Sequence, residues 1–357
     1  MSMRSRRQCC CNTYWLVRSS GWPIALLAAA ACGSDEPAAR VIVPTGANMR
    51  VAAESLESAG VIGSPKAFRL YARLRGHDRG IRPGMYELDP GASWESVLTA
   101  LRNGRGLVNP ITIPEGFTLT QIEALLTSRL GLTSDSVRGA FRDTVYLRRL
   151  NVPINALEGY LFPDTYFFPP GTSARAAVTA MVRRFEQKWR PEWTARLDSM
   201  RSTRHAVVTL ASIVEREAKI AAERPVIAAV YWNRLRRGML LQADPTVQYA
   251  LPVYQSRLMN RHLDVASPYN TYRNPGLPPG PIGAPGAASI EATLYPANVP
   301  YVYFVAFPDG HHEFRNTLEE HQSAARRARR QWNALRAQRQ SQPAPSRSPA
   351  PTRRGGF

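Results

Sequence analysis

The sequence predicts an α+β protein in which a small strand–helix–helix–strand (βααβ) domain is followed by a larger mixed α/β domain. Its 357 residues are 44% hydrophobic and 20% charged, a composition typical of globular chains. At roughly 100–200 residues per domain, this length accommodates two domains with terminal segments. Short apolar runs suited to strands alternate with longer stretches that begin at capping residues and end at glycine or proline. We therefore divide the chain into residues 1–39, 40–108, 109–335 and 336–357.

Residues 1–39 have the layout of an export signal followed by a linker. Four arginines, an apolar run and small residues follow one another in the order that export signals use. The apolar run from Trp22 to Cys32 covers about 11 residues, whereas a helix needs about 20 to cross a bilayer. Cys32 precedes small residues, as in a bacterial lipoprotein cleavage site, although Ala29 stands where that pattern prefers leucine. Two membrane anchors therefore stay open, an uncleaved signal anchor and a lipid attached to Cys32.

About half of the net charge of +19 lies at the C-terminal end. Nine arginines and no acidic residue follow Glu320, and residues 336–357 are rich in Gln, Pro, Ser and Arg. Such a segment buries too little apolar surface to offset its conformational entropy, so we expect it to be disordered. It would attract anionic lipid or an acidic polymer, or serve as a solubilising tail. No zinc-finger spacing and no aromatic RNA-binding motif accompanies this charge, so nucleic acid is not an expected partner.

Cysteine and histidine give little support for disulfide or metal chemistry. All four cysteines lie within the first 32 residues, which excludes a disulfide framework and a thiolate metal site from the rest of the chain. His311 and His312 are adjacent rather than spaced to share one face, so they do not form a pair of metal ligands. We expect no metal site.

Residues 40–108 carry the signals of the small domain. Capping residues begin its helices: Thr45 or Asn48 the first, Ser64 the second and Ser93 the third. This order of strand, two helices and strand resembles a LysM-like carbohydrate-binding module. A packing or spacer domain would have the same pattern and is the alternative. The predicted elements are a strand at 41–43, helices ending at 59 and 74, a strand at 84–88 and a helix at 94–102.

Residues 109–335 carry the signals of the larger domain. Threonine precedes its first helix, proline lies in the first turn of a later one, and a proline–glycine turn follows its last apolar strand. The predicted elements are a strand near 111, a helix capped by Thr118 or Thr120, a helix at 176–189, a helix from Pro225 that stops before Gly238, and a strand at 301–305.

Glu217 is the first candidate for chemistry. One core-facing stripe of the helix that begins near residue 204 contains Leu210, Ile213, Val214, Glu217 and Ala218. Burial on this apolar face would raise the pKa of the carboxyl, as a general acid for glycosidic cleavage requires. A structural carboxylate bonded to backbone or arginine is the alternative. Glu215 points elsewhere and precedes Lys219 by four residues, the favourable order for a surface ion pair.

Polar and aromatic residues after this helix form a second group of candidates. Some lie at a helix end or in an Asp-Pro-Thr turn, where backbone geometry holds polar groups in place. Others lie in a loop rich in turn formers, with rings that suit stacking on sugars and amides that suit hydroxyl groups. A role in turns and helix starts is the alternative for each. The candidates are Asn233, Gln242, Asp244, Thr246, Tyr269, Asn270 and Tyr272.

Several long strings occur in order along the chain and carry a family resemblance: LEGYLFPDTY, LASIVEREAKIAAERPVIAAVYWNRLRRGMLLQADPTVQYAL, SPYNTYRNPGLPPGPIGAPGAASIEATLYPANVPYVYFVA and HHEFRNTLEEH. Over residues 41–321 the chain resembles the YceG-like family of endolytic murein transglycosylases. The resemblance implies an inner-membrane protein whose catalytic domain lies in the periplasm and cleaves peptidoglycan glycan strands internally. It places the catalytic glutamate on Glu217 and matches the seven other candidates to motif positions. It also implies a link to the peptidoglycan synthases.

The resemblance implies chemistry that needs a single carboxyl, whereas glycoside hydrolysis normally uses two. Glu217 would protonate the oxygen between N-acetylmuramic acid (MurNAc) and N-acetylglucosamine (GlcNAc). It would then accept the proton of the MurNAc C6 hydroxyl, which closes on C1 to leave a 1,6-anhydroMurNAc end. This reaction on nascent strands needs no metal or organic cofactor. Two alternatives stay open, a hydrolase (muramidase) that pairs Glu217 with Asp244 or Glu215, and a non-catalytic glycan-binding envelope protein.

Overall fold

The computed structural model describes residues 38–44, 46–104 and 106–341 and shows a mixed α/β protein. Its strands form a four-stranded antiparallel sheet and a separate two-stranded hairpin. The predicted export segment with Cys32, and the tail from residue 342, lie outside the described residues. Within the described part of the chain, no helix combines the length and the apolar character needed to cross a membrane.

The N-terminal part has the predicted order of strand, two helices and strand, followed by a third helix. Asn48 caps the first helix by accepting from the backbone N–H groups of Arg50 and Val51, while the other candidate, Thr45, lies outside the described residues. Ser64 and Ser93 cap the next two helices as predicted. Buried apolar side chains from all five elements form a core of their own. The elements are β1 (Ala39–Val43), α1 (Met49–Ser58), α2 (Pro65–Leu74), β2 (Gly84–Leu88) and α3 (Trp94–Asn103).

One strand, β3 (Leu107–Thr112), belongs to both parts of the chain. Its first residues pair with β2, and Asn109 to Thr112 pair with β4 (Thr165–Phe168) in the same antiparallel sheet. The boundary expected after residue 108 therefore falls inside a strand that hydrogen bonds to both parts. The backbone hydrogen bonds of β3 therefore connect the N-terminal core to the larger one.

The larger part is mostly helical and packs around a core in which aromatic residues of α7 and α8 meet the buried face of α9. Its hairpin is closed by the predicted turn at 308–310. Its helices are α4 (Leu119–Leu130), α5 (Ser134–Phe141), α6 (Thr144–Arg149), α7 (Ala174–Lys188), α8 (Pro191–Met200), α9 (Arg204–Glu217), α10 (Arg224–Arg236), α11 (Asp244–Ala250), α12 (Asn260–Leu263), α13 (Ala287–Leu294) and α14 (Leu318–Ser341), and its hairpin strands are β5 (Tyr303–Ala306) and β6 (His312–Arg315).

Several local expectations are revised by these bounds. Helix α9 ends at Glu217, because Ala218 leaves the helical conformation with a ψ of 118°. Helix α14 continues to Ser341, six residues into the segment expected to be disordered from 336 onward. The adjacent histidines each contact a different carboxylate: His311 pairs with Asp309 in the hairpin turn, and the buried His312 contacts Glu223 at 2.7 Å.

Candidate functional site

The last turn of α9 sends three consecutive side chains into three different environments. Thr203 caps the start of this helix, and residues 207–214 are all buried, so the position of its end is fixed by packing. Successive side chains on a helix are rotated by about 100°, so neighbours in the sequence face different directions. Glu215, Arg216 and Glu217 therefore contact different parts of the protein.

Glu215 is directed inward, so the predicted surface pair with Lys219 is wrong. Its side chain is only 6% exposed and accepts a hydrogen bond from Arg224 at 3.2 Å. Its other oxygen accepts from the backbone N–H of Gly286, the N-cap of α13, at 2.9 Å. A charged arginine and a helix N-terminus both stabilise a carboxylate, which explains why this one is buried. Glu215 therefore joins α9, α10 and α13.

Glu217 lies at the wall of a cavity of about 360 Å³, here called the central cavity. The cavity is formed where the ends of α9 and α10, the start of α11, the strand β5 and helix α14 come together. Its lining combines one glutamate and one aspartate with an arginine, a histidine, an amide and aromatic rings. The lining residues are Glu217, Arg234, Leu241, Gln242, Asp244, Tyr272, Phe304, Ala306 and His321.

The surroundings of Glu217 favour its protonated form. Burial, together with the negative charge of Asp244, raises the pKa of this carboxyl from 4.5 to about 7, against the opposing charge of Lys219. Among the described residues, no hydrogen bond reaches its carboxyl oxygens, so nothing but charge and solvent stabilises the ionised form. At neutral pH, Glu217 can therefore hold a proton and release it.

Asp244 and Tyr272 form a hydrogen-bonded pair beside Glu217. The Tyr272 hydroxyl donates to Asp244 Oδ1 at 2.6 Å. Burial and the charge of Asp244 raise the pKa of Tyr272, so the hydroxyl keeps its proton. Gln242, two residues before Asp244, has a left-handed backbone with a φ of 49° and donates its N–H to the carbonyl of Thr271 at 3.1 Å. Such a conformation is uncommon for a residue other than glycine and is held here by the neighbouring loop.

Arg234 brings a buried positive charge to the central cavity. Its Nε donates to Val302 O at 2.6 Å and its Nη1 donates to Leu241 O at 2.8 Å. Among the described residues it makes no ion pair with a carboxylate, although buried charges are usually paired. Burial of His321 and, after it, the charge of Arg234 lower the pKa of His321 and keep this imidazole neutral; its Nδ1 is buried without a hydrogen-bond partner among the described residues.

The other predicted residues lie outside the lining of the central cavity. Asn233 donates both amide hydrogens to backbone carbonyls before β5, at 2.8 Å each. Thr246 is fully buried and donates to the carbonyl of Ala243 at 2.7 Å. Asn270 donates to the carbonyl of Leu263 at the end of α12, at 2.8 Å, and to that of Val265, at 2.9 Å. These three side chains shape the walls through backbone hydrogen bonds, and Tyr269 lines a different cavity.

Sequence reasoning missed four residues at or beside the central cavity. Arg234 lies in an arginine-rich stretch that gives no signal of burial, and Phe304 belongs to a strand that appeared only apolar. His321 closes the last of the quoted motif strings, which was an available signal. Tyr231 packs edge-on against Phe304, and its hydroxyl is buried without a hydrogen-bond partner. Burial is the main cause that raises the pKa of Tyr231, and the negative charge of Glu217 is the second. The two groups are therefore neighbours.

The fold and the site define a mixed α/β protein whose central cavity holds a glutamate of raised pKa beside an aspartate. The chain belongs to the YceG-like family, whose model matches residues 41–327. A relative in Bacillus subtilis (strain 168), named endolytic murein transglycosylase, is 35% identical over 298 residues, which cover 79% of this chain and 82% of the relative.

More distant relatives and a solved structure agree with this assignment. A protein of the same name in Streptococcus pneumoniae serotype 2 (strain D39 / NCTC 7466) is 28% identical over 313 residues. That match covers 78% of this chain but only 56% of the Streptococcus protein. The crystal structure of a yceG-like protein from Listeria monocytogenes is similar with a TM-score of 0.59 and 34% identity, covering 80% of this chain and 97% of that one.

Proposed function

We propose that this protein is an endolytic peptidoglycan lytic transglycosylase, a carbon–oxygen lyase that cuts between MurNAc and GlcNAc and leaves 1,6-anhydroMurNAc ends. The observation that carries the proposal is Glu217: a carboxyl with a pKa of about 7 at the wall of an open polar cavity. Membership of the YceG-like family, and relatives named endolytic murein transglycosylase, supply the substrate class.

In this mechanism Glu217 acts first as an acid and then as a base. Its proton goes to the glycosidic oxygen as the bond from that oxygen to MurNAc C1 breaks, and positive charge develops on the MurNAc ring. The MurNAc C6 hydroxyl then attacks C1 and returns its proton to the Glu217 carboxylate. The enzyme ends in the state in which it began, and no water is consumed.

The neighbours of Glu217 supply the electrostatics of both steps. Burial and, after it, the negative charge of Asp244 keep Glu217 protonated before cleavage, and the same charge stabilises the positive charge that develops on the sugar. The Tyr272 hydroxyl holds Asp244 in place. Gln242 and Arg234 line the cavity with an amide and a guanidinium, groups that can bind the acetamido and hydroxyl oxygens of the substrate.

The proposal also covers the role of the N-terminal part and the cellular location of the protein. The β1–α1–α2–β2 unit has its own core and the element order of a LysM-like module, and we assign it to glycan binding. The export layout before residue 39 supports an anchor at the inner membrane, through a signal anchor or a lipidated Cys32, with the catalytic part in the periplasm. Nascent glycan strands are the proposed substrate, and the synthases that make them are the proposed partners.

One observation favours a second candidate, a hydrolase that produces reducing ends. Asp244 lies close enough for its charge to act on Glu217, so two carboxyl groups share the central cavity, as in glycoside hydrolases. Glu215, the other candidate for a second carboxylate, does not line the central cavity and is held by Arg224 and Gly286. Asp244 is therefore the residue on which the hydrolase alternative depends.

The test is digestion of purified peptidoglycan by the full-length protein in water labelled with heavy oxygen, followed by mass analysis of the fragments. We expect unlabelled anhydro ends from the wild type and none from Glu217→Gln. Glu192→Gln, on the exposed face of α8 and outside both the central cavity and the unit assigned to glycan binding, is the matched control and should be fully active. Labelled reducing ends would establish the hydrolase instead. Absence of any fragment from the wild type would favour a non-catalytic glycan-binding protein.

A further inference from the structure

A second cavity, of about 470 Å³, lies outside the site described above. Two tyrosine rings form part of its wall, with centroids 4.9 Å apart and planes tilted by 51°. One of these rings belongs to Tyr269, which the motif resemblance marked and the central cavity does not use. The lining residues of the second cavity are Leu119, Arg142, Ile154, Asn155, Ala156, Glu158, Tyr249 and Tyr269.

Glu158 holds the wall of the second cavity in a defined geometry. It is only 5% exposed, and both of its oxygens accept from the backbone N–H of Leu119 at the start of α4, at 3.1 and 3.2 Å. The Tyr249 hydroxyl donates to it at 3.1 Å, which fixes the orientation of that ring. Glu158 therefore links the start of α4 to Tyr249 and positions that ring at the cavity wall.

The same elements line both cavities. Helix α11 places Asp244 in the central cavity and Tyr249 in the second, and five residues of helix correspond to about 8 Å along its axis. The loop that follows α12 places Tyr272 in the central cavity and Tyr269 in the second. The two cavities thus lie at the two ends of one short helix, at a separation that an extended polymer can span.

The second cavity also carries polar groups that are free to bind a ligand. Asn155 and Arg142 are exposed at its wall, and among the described residues neither side chain makes a hydrogen bond or an ion pair. Tyrosine faces cover the apolar C–H face of a pyranose ring, while amide and guanidinium donors reach its hydroxyl and acetamido oxygens. This pairing of ring faces with a few polar groups is typical of a pocket that selects a polar ring ligand.

We propose that the second cavity is a distal saccharide subsite, which binds an amino sugar of the same glycan strand that is cut at Glu217. This inference rests on the proposed function for its substrate. Strands long enough to reach both cavities gain contacts with Tyr269 and Asn155, while a disaccharide in the central cavity does not. The enzyme therefore selects for strand length through binding rather than through the chemical step.

Binding to the full-length Glu217→Gln protein tests the subsite without turnover. Calorimetry would compare a disaccharide with a longer peptide-free oligosaccharide of alternating GlcNAc and MurNAc. We expect the longer ligand to bind more tightly, and Asn155→Ala and Tyr269→Leu each to reduce that advantage about 2- to 10-fold, the loss of one ligand contact. Arg129→Ala, an exposed arginine of α4 outside both cavities, should leave it unchanged.

The outcomes separate this proposal from the proposed function. An unchanged length advantage in the exposed-site variant Asn155→Ala and in a folded Tyr269→Leu protein overturns the subsite, even where the wild type releases anhydro ends. A gain in affinity that appears only with peptide-bearing strands overturns the assignment to sugar. Failure of the wild type to release any anhydro end overturns the proposed function, whereas the length advantage and its loss in the two variants would still support the subsite.

Discussion

Replacing Glu217 by glutamine should stabilise the folded protein at alkaline pH while abolishing its activity. Burial, with a contribution from the charge of Asp244, holds the pKa of Glu217 at about 7, against 4.5 for an ordinary glutamate. Between these two pH values the folded state binds the proton that the unfolded state has lost, so stability falls as pH rises. Below about pH 4.5 the carboxyl is protonated in both states, so it does not lower the free energy of unfolding. Above about pH 7 both are ionised and the folded state bears the full cost.

The size of that cost follows from the pKa difference. A pKa change of one corresponds to about 1.4 kcal/mol, so a change from 4.5 to about 7 corresponds to about 3 kcal/mol of lost stability. The same difference has a catalytic benefit. At pH 7 about half of the molecules hold the proton on Glu217, against about one in 300 for a carboxyl of ordinary pKa. The environment of Glu217 therefore lowers the stability of the folded protein and raises the fraction of molecules with a protonated Glu217.

Urea unfolding at pH 8 and at pH 4.5 measures the stability cost of the ionised Glu217 carboxyl. Glu217→Gln should raise the free energy of unfolding at pH 8 by up to about 3 kcal/mol and change it little at pH 4.5. Glu54→Gln, an exposed glutamate of α1, should shift neither value by more than about 0.5 kcal/mol. A Glu217→Gln protein that is no more stable than wild type at pH 8 would refute the claim that the cavity destabilises the ionised carboxyl.

Three further perturbations test other contacts. Asp244→Asn should move the alkaline limb of the pH–rate profile to lower pH, because the negative charge that raises the pKa of Glu217 is removed. An alkaline limb at the wild-type pH would contradict this. Gly283→Ala should lower the free energy of unfolding by about 1–3 kcal/mol, measured by thermal unfolding, because its Cβ would lie 2.6 Å from the backbone oxygen of Gly116, which cannot turn aside as a side chain can; Gly63→Ala has open space and serves as control. Tyr249→Phe should cost about 1–2 kcal/mol at pH 8, where Glu158 is ionised, and less at pH 5; equal losses would exclude the bond to the carboxylate.

Local signals predicted much of the fold. Asn48, Ser64 and Ser93 begin helices as expected, and β2 has the predicted bounds. Capping and turn formation depend on residues within a few positions of one another, so a single sequence contains the information they need. A strand near residue 111 was predicted, but not its start at Leu107 or its pairing with both β2 and β4, because that pairing depends on residues far apart along the chain.

The site was predictable to a smaller extent. The helical wheel placed Glu217 on an apolar face, but it extended that face past the true end of α9 and turned Glu215 toward solvent. The actual partners of Glu215 are Arg224 and Gly286, which lie 9 and 71 residues further along the chain. A wheel contains only the rotation within one helix and none of the charges that other segments bring to it.

Residue order thus determined where several helices begin and marked Glu217 as a carboxyl of raised pKa, because capping and helical periodicity depend on residues close together in the chain. It did not reveal that Arg234 and His321 would lie beside Glu217 in the central cavity. It also did not reveal that Tyr269 and Tyr272 would line two different cavities. Those arrangements arise when distant segments pack together, and packing sets the desolvation and the neighbouring charges that raise the pKa of Glu217.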